Sequence, residues 1–255
     1  IGTDHGGGGA WVLNTRLPVY RCYSKVVAQS HQAVLPLKPH FAGRIEVIPG
    51  GVDIERFAPP VEQQAARKEI LFVGRLLPHK GVDLLIEAFK ALERTDWCLR
   101  IVGRAREASY FDALQAAASG YPIQFDTDLD DAAVIQAYQR ASLTVLPSHA
   151  AESAHPAPEL MGFTILESQA CGTAVVCSDA GPMAEFIDEG VTGRVFESAS
   201  VEALVATLQR VITAKDEDVA YSRNACRQQV ERFSWEAVAN AHQTAYRQII
   251  STREG

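Results

Sequence analysis

The chain lacks most of the short signatures that announce a common chemistry. There is no CxxC pair: Cys22, Cys98, Cys171, Cys177 and Cys226 are scattered, odd in number and without zinc-ligand spacing. That usage argues against a disulfide framework and reads as reduced thiols in a cytosolic chain, most of them core filler. No apolar run exceeds strand length, residues 173–177 being typical, so none suits a membrane-spanning helix. A basic stripe is missing too. Lys and Arg number 24 against 31 Asp and Glu, a formal net charge of −7, which argues against a nucleic-acid partner. His31, His40, His79, His149, His155 and His242 show no metal-ligand spacing, so no metal site is expected. GxGxxG, GKS or GKT, and the GxSxG elbow are all absent, and with them the common dinucleotide, nucleoside-triphosphate and serine-hydrolase cradles. No internal repeat is evident, and the only low-complexity tract is the glycine run 6–9.

What is present is alternation. The 255 residues, 47% of them hydrophobic, are enough for a real core. From residue 69 onward, short apolar runs at 69–73, 98–102, 123–125, 142–146, 173–177 and 193–196 read as buried strands. Between them lie helical stripes. Val82, Leu85, Ile86 and Phe89 recur at i, i+3, i+4 and i+7, and Val201, Leu204, Val205, Leu208, Val211 and Ile212 repeat the pattern. Further helices are expected over 109–118 and 131–140 and from about Thr164. Strands alternating with helices predict an α/β chain with a doubly wound parallel sheet.

The first 48 residues fit less cleanly. They hold a strand candidate at 25–29, a short helix candidate broken by Pro36, and a strand at 45–48 that runs into the turn cluster 49–53. Residues 49–68, with Pro59-Pro60, read as a linker, residues 69–232 as the main domain, and 233–255 as an amphipathic C-terminal helix that packs back toward the N-terminal part. Ser234 is the expected cap of that helix. A start at Ile1, inside a motif and without Met, predicts a fragment of something longer.

Open α/β sheets bind ligands at the carboxyl ends of their strands. After the first strand of the main domain, Gly74 permits close backbone approach, while Arg75 and Lys80 bracket the loop into the next helix. Two cations there suit a diphosphate, or they are solvated surface charges. A second segment carries Glu159 and Glu167, eight residues apart, with Gly162 between them and a helix start at Phe163, Thr164 and Ile165. A glycine before a helix N-terminus offers free N–H groups to an anion, and a glutamate at each end can accept from sugar hydroxyls. The alternative is an exposed loop acid and a helix-surface residue. Asp126, Asp128, Asp130 and Asp131 read as a solvated loop leading into a helix cap.

The E-x7-E pattern around Gly-Phe-Thr-Ile-Leu-Glu resembles the retaining glycosyltransferases of family four, whose GT-B fold sets two Rossmann-like domains across a cleft. Other marks follow in order: 47–53 (Val-Ile-Pro-Gly-Gly-Val-Asp), 73–81, Leu146-Pro-Ser148, 180–185 and 190–193. The resemblance implies that residues 69–232 are the C-terminal, nucleotide-sugar donor domain and that residues 1–48 are a remnant of the N-terminal acceptor domain. It implies that Gly74, Arg75 and Lys80 and the amides of Gly162, Phe163, Thr164 and Ile165 hold the donor diphosphate. Glu159 would contact the transferred sugar, and Glu167 the ribose. Residues 125–128 would lie beside the base, and His5 and Arg21 on the acceptor side. It further implies metal-independent, retaining sugar transfer from a UDP-, GDP- or ADP-sugar to an unidentified acceptor. No cofactor is involved, the setting is cytoplasmic, and a membrane face is within reach of the missing portion.

Three departures stand out: Gly50 replaces the usual Asn, read as tolerance of positive φ at both, Gly181-Pro182 replaces Gly-Gly, and residues 149–158 are longer and richer in Pro and Ala, read as a surface excursion or as shaping donor specificity. Two rival readings remain open, a donor-binding fragment without turnover and a GT-B-type epimerase or phosphorylase.

Overall fold

The computed structural model of the chain describes residues 2–4, 23–61, 68–149, 159, 161–213 and 223–254. Three short strands come first, β1 (Gly2–Asp4), β2 (Val26–Ala28) and β3 (Ile45–Val47), all parallel and in that spatial order. Between the last two lie single-turn helices α1 (His31–Val34) and α2 (Lys38–Phe41), separated by the turn that holds Pro36. A proline there cannot continue α1.

The second sheet carries the site. Its strands are β4 (Glu69–Val73), β5 (Cys98–Val102), β6 (Ile123–Asp126), β7 (Leu143–Leu146), β8 (Val175–Ser178) and β9 (Gly193–Phe196). They run parallel in the order β6-β5-β4-β7-β8-β9, the doubly wound arrangement expected from the sequence. The crossovers run through α3 (Val82–Ala91), α4 (Ala108–Ala118), α5 (Asp131–Arg140) and α6 (Phe163–Ala170), and α7 (Val201–Thr213), α8 (Arg223–Glu231) and α9 (Trp235–Glu254) follow. Ile70, Phe72, Leu99, Ile101 and Val145 point to one face, against α3, α4 and α7. Leu71 and Val102 point to the other, against Ala137 and Tyr138 of α5. Covering both faces makes β4, β7 and β8 nearly continuous apolar runs, while β5 and β6 keep some alternation.

Several elements differ from expectation, among them β1 (Gly2–Asp4), which has no counterpart in the sequence reading. The strand expected at 173–177 begins only at Val175, because Thr173 closes the preceding turn: its N–H donates to the Ser168 carbonyl (2.9 Å) and its hydroxyl to the Tyr138 carbonyl (2.6 Å). Helix α8 has no counterpart in the sequence reading. Only Cys226 and Val230 of it are buried, an i, i+4 pair too sparse to make a periodic stripe.

Val52 donates from its N–H to the Phe233 carbonyl (2.8 Å), which ties the segment after β3 to the start of α9. Ser234 caps α9 by accepting from the Ala237 N–H (3.1 Å). The helix then lays Val238 and Ala245 against Val27 and Ile48. Among the described residues no helix is long and apolar enough to cross a membrane.

Candidate active site

Strand order reverses between β4 and β7, and the crevice outside their carboxyl ends is where an open α/β sheet receives a ligand. Past β4 the chain reaches Gly74 and Arg75, then a 3-10 turn (Pro78–Lys80) closed by Gly81 in the left-handed conformation (φ 67°). A Cβ at residue 81 would lie 2.1 Å from the Pro147 carbonyl oxygen, so only glycine lets this turn press against the end of β7. That contact brings Lys80 beside Ser148, the residue two past β7.

Lys80 Nζ makes an ion pair with Glu159 Oε1, from a position 79 residues later in the chain. Both side chains are mostly buried, at 12% and 17% exposure, and Ser148 Oγ lies 3.3 Å from the same carboxylate oxygen. Arg75 is exposed and has no ion-pair partner among the described residues. The His79 imidazole sits among these charges. Burial first, then the Lys80 and Arg75 cations, hold its pKa below the usual 6.5, although Glu159 pulls the other way.

Helix α6 begins at the same crevice. Gly162 precedes it with φ 74°, no side chain caps its first turn, and Thr164 Oγ1 is 3.5 Å from the Val73 carbonyl at the end of β4. An uncapped helix start of this kind presents amide N–H groups and a partial positive charge. Gly162, Phe163, Thr164 and Ile165 therefore lie at the switch point, beside β4 and the residues that follow it. Glu167, one turn into α6, accepts a hydrogen bond from the Tyr138 hydroxyl (2.9 Å), and burial raises its pKa. A cavity of about 210 Å³ opens alongside, lined by Gly74, Arg75, Gly103, Arg104, Asp126 and Thr127 among others. Asp126, expected in a solvated loop, instead ends β6 and accepts from Arg100 Nε (2.6 Å). Asp130 caps α5 by accepting from the Ala133 N–H (2.8 Å).

Gly50 requires a correction. Its φ is not positive; what it provides is space, since a Cβ there would come within 2.8 Å of the Phe163 ring. His5 and Arg21 lie outside the described residues, as does most of the segment 149–158. Sequence reasoning missed the neighbours that fix the site. Tyr138 and His149 carry no motif, and only folding brings them to the crevice; His79 lies inside the 73–81 run but has no expected role there. Glu185 closes the expected run 180–185, and its carboxylate is turned to the smaller sheet, where it accepts from the backbone N–H groups of His31 (2.7 Å) and Gln32 (2.8 Å).

No group of three or more His, Cys, Asp or Glu side chains clusters as a metal site among the described residues. The buried thiols of Cys171 and Cys226 are pushed by desolvation up to about 12, and that of Cys177 is also raised, so none of the three is a thiolate near neutrality.

Comparison with known proteins gives the same outline. The chain is 28% identical over 232 residues to the D-inositol 3-phosphate glycosyltransferase of Saccharomonospora viridis, covering 83% of this chain and 52% of that protein. It is 30% identical over 251 residues to the lipopolysaccharide core biosynthesis mannosyltransferase LpcC of Rhizobium leguminosarum, covering 91% and 68%. It thus spans about half the length of the inositol-phosphate glycosyltransferases it matches. Among solved structures, a glycosyltransferase from Rickettsia africae superposes with a TM-score of 0.81 at 22% identity, over 97% of this chain and 70% of that one. HepE of Anabaena, solved with UDP and glucose, gives 0.73 at 23% identity over 96% and 67%. The model of the glycosyl transferases group 1 matches residues 53–228, more than half of the chain, and the chain belongs to that family.

Proposed function

We propose that this chain binds a nucleotide-sugar and transfers its sugar to an acceptor hydroxyl with retention at the anomeric carbon, without a metal ion. The observation that carries this reading is the meeting of Lys80, Ser148 and Glu159 with the uncapped start of α6 at the strand-order switch. Lys80 and Ser148 come from separate crossovers, and a diphosphate fits the positive charge that Lys80, Arg75 and the helix start supply. In this reading the donor diphosphate takes the place of the Glu159 carboxylate on Lys80. Arg75 and the amides at 162–164 bind the remaining oxygens, the Ile165 N–H being already donated to the Gly162 carbonyl (2.9 Å). Glu159 is then released to accept from a hydroxyl of the sugar, and Glu167 accepts from the ribose. UDP in the HepE complex is consistent with a nucleoside diphosphate in this crevice.

As the bond between the anomeric carbon and the diphosphate oxygen breaks, negative charge grows on the leaving group. Lys80, Arg75 and the helix start supply positive partners for that charge, the role a metal ion plays elsewhere. The acceptor oxygen attacks from the face the diphosphate leaves, and its proton passes to the departing phosphate oxygen. Removing one such preorganised contact typically costs roughly 3–4 kcal/mol at the transition state.

Thermal shift with UDP, GDP and ADP identifies the base, and transfer from the matching labelled sugar donor tests turnover. Lys80→Ala is expected to weaken nucleoside-diphosphate binding roughly tenfold or more, the worth of a charge-assisted hydrogen bond, and to leave nucleoside binding nearly unchanged. Equal losses for both ligands would remove the phosphate role. Tight nucleotide binding with no transfer to any acceptor would support a donor-binding module instead.

A further inference from the structure

We infer that Tyr138 is a positioning residue for the nucleotide site: its hydroxyl holds one oxygen of Glu167 so that the other faces the crevice and receives a ribose hydroxyl. This rests on the ribose role of Glu167 proposed above.

Tyr138 is fully buried, at 0% exposure, and its hydroxyl lies 2.9 Å from Glu167 Oε2. The ring has no room to swing. It packs among Leu71, Val102 and Cys171 and meets the Phe57 ring edge-on at 6.3 Å and 65°. Thr173 donates to the Tyr138 carbonyl and so fixes the backbone as well. A phenol oxygen this deeply buried needs partners; it donates to Glu167, and the Thr164 side chain of the same helix α6 also bonds to it.

Glu167 itself is only partly covered, and its Oε1 makes no hydrogen bond within the described residues. The two oxygens therefore have different surroundings. Oε2 is committed inward to a rigid donor, and Oε1 is left for something outside. Arg56 and Asp131 are the other charges felt by this carboxylate, and they pair with one another across the crevice rim. That ion pair and the hydrogen bond from Gln139 Nε2 to the Ala58 carbonyl (2.7 Å) hold the loop after Asp53 against α5, the helix that carries Tyr138. A carboxylate fixed in advance loses less rotamer freedom when it binds, and a site group is most exact when a second layer locks it. Burying a tyrosine for packing alone would be served equally by phenylalanine.

The test compares binding of UDP and GDP with that of their 2′,3′-dideoxy analogues by calorimetry. Wild-type protein is expected to prefer the better-bound parent nucleotide by roughly tenfold, about the worth of a hydrogen bond to a charged group. In Tyr138→Phe that ratio should fall below about threefold, while the dideoxy analogue binds both proteins alike. In a Glu167→Gln background, Tyr138→Phe should change the ratio no further, because both act through one carboxylate. A full ratio retained by Tyr138→Phe, or losses that simply add in the double variant, would overturn the inference while leaving the ribose role of Glu167 intact. No ribose preference in the wild-type protein would overturn both. Should Tyr138→Phe not fold, Glu167→Asp, which draws the carboxylate one methylene back from the phenol, should reduce the ratio similarly; an undiminished ratio there overturns the inference too.

Discussion

At the scale of single residues, the site stores two ionisable groups whose shifts have opposite signs. Burial raises the Glu167 pKa above its usual 4.5, so the folded chain holds that proton at pH values where the unfolded chain has released it. Its contribution to stability is complete below the ordinary carboxylate value and is lost as pH rises through the raised one. His79 behaves conversely. Burial and the neighbouring cations lower its pKa below 6.5, so the folded chain keeps it neutral, and stability is lost as pH falls below that value. Urea unfolding from pH 4.5 to 7 should therefore show Glu167→Gln gaining on the wild type as pH rises. Nucleotide affinity should move the other way, increasing with pH over the same window as Glu167 ionises and becomes an acceptor for ribose. A wild-type affinity flat across that window, measured with a UDP-sugar whose own charge is constant there, would count against the ribose contact.

At the scale of elements, the 3-10 turn between β4 and α3 decides where Lys80 stands, and Gly81 decides whether that turn can form. Gly81 and Gly43 share a left-handed backbone, with φ of 67° and 74°, yet a Cβ at 81 would meet the Pro147 carbonyl at 2.1 Å while one at 43 meets nothing within 4 Å. Gly43→Ala should cost only the conformational strain, about 1–2 kcal/mol. Gly81→Ala must add a steric displacement, so a larger loss in urea unfolding is expected together with loss of nucleotide binding; equal costs would show that the turn and β7 are not in close contact. The same turn shows what the sequence could reveal. Strands β4, β5 and β9 were legible residue for residue, because each is a short, mostly apolar run closed by glycine or a loop, even with Arg100 and Arg194 inside two of them. Lys80, Glu159 and Glu167 were legible because they sit in a spaced motif. Helix α8 was not, since only two of its residues are buried, and Tyr138 was not, since its partner lies in a different crossover. A single tyrosine on an apolar helix face is indistinguishable from core until the fold supplies Glu167. Gly50 was identified as special for the wrong reason: a sequence shows that a side chain is missing, not whether torsion or space requires it.

At the scale of the whole molecule, the three-stranded sheet and the six-stranded sheet are joined by what crosses between them. One crossing is α9, which leaves the larger sheet at Phe233 and buries Val238 and Ala245 against Val27 and Ile48. Lys25 Nζ adds a hydrogen bond to Gln248 Oε1 at 2.9 Å near the far end of the helix. A second crossing is Glu185, at the end of the 3-10 segment Gly181–Phe186, whose two oxygens receive the first amides of α1. That segment begins with Gly181, which packs against the backbone of Glu159, so the two sheets and the carboxylate at the crevice share one short rigid piece. Disturbing α9 should therefore be felt first in the smaller sheet. Ala245 is fully buried, and Ala245→Glu would place a charge between Val27 and Ile48, one turn from the Lys25 ammonium that already pairs with Glu46, an error that costs several kcal/mol when it cannot relax. Hydrogen exchange should then rise at residues 26–28 and 45–47, while amides of 70–73 and 143–146 keep their protection because their core does not touch α9. If Glu185 transmits the position of the smaller sheet to Glu159, the variant should also lower turnover more than nucleotide affinity. Uniform loss of protection across both sheets would mean that they unfold as one unit, and the crossings would then be ordinary core rather than couplings.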